Sequence, residues 1–516
     1  MKKMTTSRTQ KTLKNANISL VFSIATIFIG FFSRKIFIDN LSAEVLGLNT
    51  VASNLLGFLN LAELGIGTAI SYSLYKPLFD DDRQKMIDII TVQGYLYRRI
   101  AYLILLVSGV MMCFFPLIFK KSELPLWYTY ATFVVLLCSS VFSYIWNYKQ
   151  ILLNADQKNY KLVINQQSLY FLKIILQLTG ISLLPHIGYQ CWIVLEFLFA
   201  IIRTVGLNRI IRKEYPWLNV ELSRGKSLLK SHKEIITKTK QLFAHKVGTI
   251  ALSQASPMVM YAYTSLTVVA YYGNYMTIIT GLSLLFNSLF SSMGAGIGNL
   301  VAEGNKQRIN KVFWELFTSR FWIALSISIP LYFLSSSFVT LWLGKEYLLE
   351  DTTILMMVVI FFIGATRGIV ESFIAAYGLY HDTWAPLAET ALNIILSITF
   401  GYFFGISGVL LGITLSLVLI ILIWKPYFLY IQGFKCSVWE YVVGYIKHLA
   451  IAAVVLLVSK HLYYYLPFYP SESISDFLIV SIIITLATSL FAGILYYIFT
   501  PGLKYFQIRL IMILKR

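Results

Sequence analysis

The sequence is short of charged residues. Of 516 residues only 13% are charged, whereas 57% are hydrophobic. A soluble domain carries about 25% charged residues, so this chain has roughly half the charge that a water-facing surface needs. This excludes an ordinary soluble enzyme. The apolar residues also fall in runs of about 20, the length of helix that crosses a ~30 Å hydrocarbon core. The sequence therefore predicts an all-α polytopic membrane protein.

Motifs of nucleotide and cofactor chemistry are absent too. The sequence contains no GxxxxGK[ST] loop, HExxH, CxxC or GxSxG, which argues against ATP hydrolysis, zinc-dependent hydrolysis, dithiol chemistry and an esterase-type nucleophile. The four cysteines have no metal or redox spacing, and three lie in apolar runs, where cysteine behaves as a small hydrophobic residue. We predict no enzyme activity, no catalytic residue, no bound metal and no cofactor. A coupling ion (H⁺ or Na⁺) or the membrane potential would then drive any transport.

Apolar runs bounded by charges and turn residues predict about fourteen membrane-spanning helices. The second and eighth spans are long enough to tilt or to extend beyond the bilayer. The predicted spans are 17–38, 45–75, 93–119, 126–148, 160–184, 187–208, 242–263, 267–301, 313–338, 352–378, 384–404, 407–431, 440–466 and 475–500.

Most of the charged residues are basic. The chain has 43 Lys and Arg against 24 Asp and Glu. With the N-terminus in the cytoplasm, the spans alternating and basic residues towards span ends counted with the adjacent side, 33 basic residues fall on the cytoplasmic side, four outside and six deep within spans. This asymmetry follows the positive-inside rule and does not require a nucleic-acid partner. It predicts a multi-pass membrane protein with both termini in the cytoplasm.

The order of spans suggests an internal repeat. Gly65-Ile-Gly67 in the second span recurs as Gly296-Ile-Gly298 in the eighth, and a charged loop follows each motif. The longest hydrophilic stretch separates spans six and seven. We predict an N-lobe over 1–211, a basic cytoplasmic linker over 212–240, a C-lobe over 241–434, and two further helices with the C-terminus over 435–516. Two six-helix lobes of the same orientation are a transporter architecture, with the substrate path between the lobes.

Ionisable residues within predicted spans are the candidate functional residues, because each costs about 2.5–3.5 kcal/mol at the bilayer centre unless it faces a partner or a polar cavity. Lys173 has no acid within a turn on its own helix and points to an anionic ligand. The pairs Glu196–Arg203 and Arg367–Glu371 have spacings that share a helix face, so salt bridges are the alternative for them. The basic residues are Arg34, Lys35, Lys173, Arg203, Arg367 and Lys425, and the acidic ones are Glu63, Glu196, Glu371 and Glu389.

Several stretches resemble the bacterial polysaccharide transporter family, the Wzx-type oligosaccharide flippases. These are Arg34–Phe37, Leu59–Pro77, His245–Gly248, Tyr272–Tyr275 and Gly298–Gly304. The resemblance covers residues 15 to 435 and implies the fold of the superfamily that includes the MATE drug exporters and the lipid II flippases. It also implies movement of polyprenyl-diphosphate-linked oligosaccharides from the inner to the outer leaflet of the bacterial cytoplasmic (inner) membrane by alternating access.

Carried over to this chain, the resemblance matches Arg34 to the family's first-helix arginine and Glu63 to its second-helix glutamate. The chain departs from the family at Ser253–Pro257, where relatives often have an acidic residue. A cationic central cavity would bind the diphosphate or sugar of an undecaprenyl-diphosphate-linked oligosaccharide. The predicted binding residues are Arg34, Lys173, Arg203, Arg367 and Lys425, and the predicted gate or ion-pair residues are Glu63, Glu196, Glu371 and Glu389.

Three alternatives to this function stay open. A MATE-type drug exporter would favour a more acidic set of embedded residues than this one, and a lipid II flippase would differ only in the sugar. A polysaccharide polymerase or ligase generally needs a substantial external catalytic loop, and no predicted outer loop exceeds about 15 residues. The predicted partners are the lipid-linked oligosaccharide, membrane lipids and a polysaccharide polymerase of the same pathway.

Overall fold

The computed structural model describes residues 2–63, 65–231, 235–237, 239, 254–290, 293–379, 381–382 and 384–514. Within these ranges helix is the only regular secondary structure, which confirms the predicted all-α class. The chain divides into two compact units, Met1–Ala270 and Tyr271–Arg516. The predicted division into lobes, linker and terminal helices stays a prediction. Linker residues 232–234, 238 and 240, the stretch His245–Gly248 and residues 242–253 of the seventh predicted span lie outside the described residues.

Fifteen of the helices matter for the positions of the charged residues. Residues 254–263 are helical as well, and short turns of helix occupy Phe115–Ile118, Gln150–Ala155 and Gly225–Ser231. The fifteen are α1 (Lys2–Leu41), α2 (Ala43–Leu59), α3 (Ile66–Asp80), α4 (Arg83–Cys113), α5 (Leu126–Ile145), α6 (Asn159–Leu183), α7 (Gly188–Glu214), α8 (Leu266–Phe290), α9 (Met293–Glu303), α10 (Lys306–Trp342), α11 (Asp351–Ala376), α12 (Trp384–Leu417), α13 (Trp439–Tyr465), α14 (Ile474–Phe499) and α15 (Pro501–Leu514).

Ten helical stretches of the described residues are long and apolar enough to cross a membrane. They correspond to eleven predicted spans, because Trp384–Phe434 contains both the eleventh and the twelfth. The fifth predicted span is the more polar α6, and the second is interrupted between α2 and α3. Of the eighth predicted span, α8 and α9 are described, and residues 291–292 between them lie outside the described residues. The chain is a multi-pass membrane protein.

Gly405 turns the 51-residue helical stretch Trp384–Phe434 into a hairpin. A straight helix of that length would extend about 76 Å, more than twice the ~30 Å core. Gly405 has φ 56° and ψ −133°, a conformation open almost only to glycine. Beyond it the chain returns antiparallel, and the Ser397 hydroxyl donates to the Val409 carbonyl at 3.0 Å. At Gly412 a Cβ would collide with the backbone of Leu396 and Ser397, so the two arms pack backbone to backbone as small residues permit.

The charged loops of the predicted repeat both begin a helix in the same way. Asp82 precedes α4, and its Oδ1 accepts from the Lys85 backbone amide at 3.0 Å. Asn305 precedes α10, and its Oδ1 accepts from the Arg308 amide at 3.1 Å. Such side chains satisfy amides that the first helical turn leaves without an acceptor. The polar residues of these loops therefore end one membrane helix and begin the next.

The core of the second unit forms around α10. Phe313, Phe317 and Phe321 on α10 are buried against α11, α13 and α14. His448 of α13 lies among these rings, with Nε2 2.9 Å from the Thr318 hydroxyl and Nδ1 2.7 Å from the Gly444 carbonyl. The last helices are therefore part of one continuous core with α10.

Candidate functional site

Glu63 lies where the second predicted span is broken. After α2 the chain makes a 3₁₀ turn over Asn60–Glu63, and Gly65, with φ 89°, begins α3. The Tyr97 hydroxyl donates to one carboxylate oxygen of Glu63. The Tyr144 hydroxyl lies 3.1 Å from the other oxygen and 3.0 Å from Oδ1 of Asn60. Two phenols thus hold the carboxylate within a helix break.

The hydroxyl group of Tyr144 has two acceptors within hydrogen-bond distance. A hydroxyl has one hydrogen to donate, and Oδ1 of Asn60 also accepts from the Ser140 hydroxyl at 3.0 Å. Tyr144 can therefore donate to Glu63 without leaving Asn60 unsatisfied. Among the described residues no basic side chain lies within 4 Å of the Glu63 carboxylate, so hydrogen bonds and not an ion pair solvate it. Such a carboxylate can accept a proton or a small cation.

Lys173 is paired with an acid on the neighbouring helix. Its Nζ donates to the two carboxylate oxygens of Glu196 at 2.8 and 2.7 Å, and Nε2 of Gln177 donates to the same carboxylate at 3.0 Å. The Lys173 ammonium also lies 5.4 Å from the centre of the Tyr170 ring. The expectation of an unpaired lysine was therefore wrong, because it considered only the acids on the lysine's own helix.

The tight turn between α6 and α7 explains this pair. Helices that reverse direction over a few residues are antiparallel neighbours, so residues equally far from the turn lie at the same depth. Lys173 is eleven residues before Leu184, and Glu196 is nine after Ile187. Glu196 consequently pairs across the hairpin with Lys173 and not along its helix with Arg203. The short turn between α6 and α7 is visible in the sequence and could have indicated the Lys173–Glu196 pair.

The remaining predicted cations of the first unit differ in their surroundings. Nη2 of Arg34 donates to the Ala270 carbonyl at 3.0 Å. Arg34 is half-buried and the adjacent Lys35 is exposed, as their ~100° angular separation on a helix predicts. Arg203 is half-buried as well, and no described carboxylate lies within 4 Å of its guanidinium.

Two ion-pair groups lie in the second unit. Arg367 places Nε 2.8 Å and Nη2 2.6 Å from one carboxylate oxygen of Glu371, the partner that the four-residue spacing indicates. Its Nη1 is 3.8 Å from Glu389, whose side chain is almost wholly buried. Lys425 is 2.7 Å from Asp382, an acid that the sequence analysis did not single out. Three of the five predicted binding residues are thus neutralised by carboxylates.

Arg320 is an embedded arginine that the sequence analysis missed. It lies in α10 within the ninth predicted span and is only 7% exposed. Its Nε donates to the Ala365 carbonyl, Nη2 is 3.5 Å from Oδ1 of Asn287, and the guanidinium lies 4.6 Å from the centre of the Phe290 ring. No described carboxylate is within 4 Å. Nothing in the local sequence distinguishes this arginine from a charge at a span end.

Gly368 of α11 gives the Arg320 side chain its space. A Cβ at this position would lie 2.7 Å from Nη2 of Arg320, closer than non-bonded atoms approach. The arginine is therefore held by a glycine surface, a carbonyl and aromatic faces, and Glu371 acts on its charge only from beyond ion-pair distance.

A cluster of charges marks the basic end of the α6–α7 hairpin. Lys158 is 2.7 Å from Asp156 and 3.2 Å from Glu214, and the Tyr215 hydroxyl donates to Asp156 at 2.9 Å. Burial and the neighbouring Asp156 carboxylate raise the pKa of Tyr215. Burial alone would lower the pKa of Lys158, but its hydrogen bonds to Asp156 and Glu214 outweigh this and raise it. Both groups keep their protons at neutral pH.

No group of three or more His, Cys, Asp or Glu side chains in the described part of the chain could hold a metal ion. The roles predicted for the charged residues stay predictions.

Comparison with solved structures identifies the fold. The lipid II flippase MurJ, in an inward closed conformation, matches with a TM-score of 0.62 at 16% sequence identity, over 93% of this chain and 99% of MurJ. An inward-facing multidrug resistance MATE family transporter of the MOP superfamily matches with a TM-score of 0.57 at 14% identity, over 80% of this chain and 95% of the transporter. The chain has the MurJ and MATE fold. Neither a family model nor a curated protein matches the sequence.

The MurJ and MATE fold agrees with the architecture that the sequence predicts, including membrane spans over nearly the whole chain. Both matched proteins are named as transporters or flippases and neither as an enzyme.

Proposed function

We propose that this protein is a Wzx-type flippase of the bacterial cytoplasmic membrane, with both termini in the cytoplasm. It would move a polyprenyl-diphosphate-linked oligosaccharide, the repeat unit of a surface polysaccharide, from the inner to the outer leaflet by alternating access. The product would pass to a polysaccharide polymerase. The protein would act as a transporter and not as an enzyme, with a proton, Na⁺ or the membrane potential as the driving force.

The observation that carries this proposal is the presence of embedded arginines that have no acid partner. Arg203 and Arg320 lie in predicted spans, and no described carboxylate is within 4 Å of either guanidinium. An uncompensated charge inside a membrane is costly and typically marks a substrate path. Guanidinium groups bind phosphate oxygens in a bidentate manner. The fold of MurJ, which is named for flipping lipid II, is compatible with a diphosphate lipid as substrate.

The ion pairs support a different order of candidates for diphosphate binding from the one that the sequence predicts. Lys173, Arg367 and Lys425 are engaged by Glu196, Glu371 and Asp382, so a substrate would have to displace a carboxylate from each. Arg203 and Arg320 need no such exchange. They are the first candidates for contact with the diphosphate. Arg34, which donates to the Ala270 carbonyl, stays a predicted binding residue.

The test is a flipping assay in proteoliposomes. A diphosphate-linked oligosaccharide is incorporated, and its appearance in the outer leaflet is followed with a membrane-impermeant enzyme that cleaves the sugar. Arg203→Gln and Arg320→Gln should each slow flipping at least tenfold, because each removes a charge-assisted contact worth about 1.5–3 kcal/mol. Lys460→Gln, at an exposed position of α13, is the matched control. Unchanged flipping in both arginine variants would contradict the proposed role of these cations.

The same assay separates the other candidate substrates. If lipid II flips and other diphosphate-linked oligosaccharides do not, the protein is a lipid II flippase. The Glu63 site, where two phenols and no described basic side chain contact the carboxylate, favours a cationic drug as the second candidate class. Drug efflux from the same vesicles that is lost in Glu63→Gln, with no lipid flipping by the wild type, would establish a MATE-type exporter.

A further inference from the structure

The outer face of the α6–α7 hairpin has a groove of about 820 Å³. It lies wholly within the first unit, and both of its walls belong to the hairpin. Gly206 allows the walls to approach, because a Cβ there would lie 2.6 Å from Oδ1 of Asn165. The groove is separate from the Lys173–Glu196 pair, whose lysine is buried and does not line it.

Most of the groove is an exposed apolar wall. Ile164 of α6 is 41% exposed, and Ile202 and Val205 of α7 are 45% and 42% exposed. In contrast, Leu162 and Leu207 on the same two helices are buried against the rest of the unit. Since α7 is long and apolar enough to cross a membrane and α6 is the fifth predicted span, the exposed wall would offer aliphatic side chains to hydrocarbon chains.

One end of the groove is basic. Arg209 and Lys213 are exposed, lie four residues apart on α7, and line the groove. Lys161 lines it as well but is paired with Glu214. No described carboxylate lies within 4 Å of Arg209 or Lys213. Like charges four residues apart on a helix repel each other, so an anion bound between Arg209 and Lys213 would reduce this repulsion.

The dimensions of the groove match one leaflet. From Ile201 to Lys213 is twelve residues, or about 18 Å along a helix, and half of a ~30 Å hydrocarbon core is about 15 Å. A phosphate at the basic end therefore leaves an acyl chain alongside Ile164, Ile202 and Val205. The positive-inside rule assigns this end to the inner leaflet.

We propose that this groove binds an anionic glycerophospholipid, with its phosphate at Arg209 and Lys213 and one acyl chain along the apolar wall. The proposed occupant is a lipid of the surrounding membrane and not the transported substrate. The groove lies on the exposed face of the hairpin, away from the buried Lys173–Glu196 pair. The inference does not depend on the proposed function: any membrane protein with this surface would bind the same lipid.

The test compares two lipids and two matched double variants. Purified protein in a mild detergent is titrated with phosphatidylglycerol or with phosphatidylcholine of the same acyl chains, and bound lipids are counted by native mass spectrometry. The wild type should retain phosphatidylglycerol preferentially. Arg209→Gln/Lys213→Gln should weaken that binding about 30-fold, from about 1 kcal/mol per basic residue near an anionic headgroup. Phosphatidylcholine binding should change little.

Lys226→Gln/Lys230→Gln is the control for net charge. These exposed lysines of the short helix Gly225–Ser231 are also four residues apart but do not line the groove. The control should bind phosphatidylglycerol like the wild type. Val205→Trp, which fills the apolar wall and keeps both charges, should weaken binding as well. Thermal unfolding of each variant checks that the protein remains folded.

Four results would overturn the proposal. These are equal retention of the two lipids, equal weakening in the two double variants, displacement of the lipid by inorganic phosphate at comparable concentration, and displacement by polyprenyl diphosphate at a much lower concentration. The third would indicate a soluble anion, and the fourth would assign the groove to the substrate. Selective loss of phosphatidylglycerol in the groove variants alone would establish the lipid site.

Discussion

At the residue scale, the Lys173–Glu196 pair has two possible roles that a double variant distinguishes. Both side chains are mostly buried, with 11% and 15% of their side-chain surface exposed. Removing one partner leaves the other as an uncompensated buried charge, which costs about 3–5 kcal/mol, whereas removing both charges together often costs little. Gln177 would remain to hydrogen-bond a neutral amide at position 196.

We expect Lys173→Gln and Glu196→Gln each to lower the thermal unfolding temperature in detergent, and Lys173→Gln/Glu196→Gln to recover most of the loss. The double variant should also flip lipid-linked oligosaccharide if the pair is structural. If the double variant is as stable as the wild type but inactive, Lys173 contacts the substrate, as the sequence analysis predicts.

The residues also show how far the sequence could predict the charged sites. The spacing of Arg367 and Glu371 along one helix indicates their pairing, because a helix fixes which residues share a face. The partner of Lys425, Asp382, lies 43 residues away and is set by the tertiary packing. The buried position of Arg320 follows from the glycine at 368 and the rings at 286 and 290 on other helices. No pattern of neighbouring residues in the sequence predicts such tertiary contacts.

At the element scale, the hairpin in Trp384–Phe434 depends on one glycine. The conformation of Gly405 is strained for any residue with a Cβ, at a cost of about 1–3 kcal/mol. We expect Gly405→Ala to lower the unfolding temperature. Gly364→Ala is the control, because Gly364 lies within α11 with open space around it and alanine is favoured over glycine in a helix by about 1 kcal/mol.

Replacing glycine by alanine should therefore raise the unfolding temperature at position 364 and lower it at position 405, as measured by thermal unfolding of the purified variants. Equal effects would mean that the reversal of the chain does not depend on the backbone of Gly405. The sequence predicted two spans here from the length of the apolar run, although it did not indicate which residue makes the turn.

At the scale of the whole molecule, the direction of transport follows from the charge of the proposed substrate. A diphosphate head carries two negative charges, and an inside-negative potential favours their outward movement by about 4.6 kcal/mol per 100 mV, from about 2.3 kcal/mol per charge. At 1.4 kcal/mol per tenfold, this corresponds to a ratio between the leaflets of about 10³. The potential alone is therefore sufficient to drive flipping without a coupling ion.

We expect outer-leaflet accumulation of the diphosphate-linked oligosaccharide in proteoliposomes to rise with an inside-negative potassium diffusion potential, at equal pH and Na⁺ on both sides. A monophosphate-linked oligosaccharide, with about half the charge, should show about half the dependence on voltage, since the work is proportional to the charge moved. The sign should reverse when the potential is reversed. Accumulation that is independent of the potential but depends on an imposed proton or Na⁺ gradient would instead show an exchange mechanism. Glu63, whose carboxylate is hydrogen-bonded by Tyr97 and Tyr144, would then be the first candidate for the ion site.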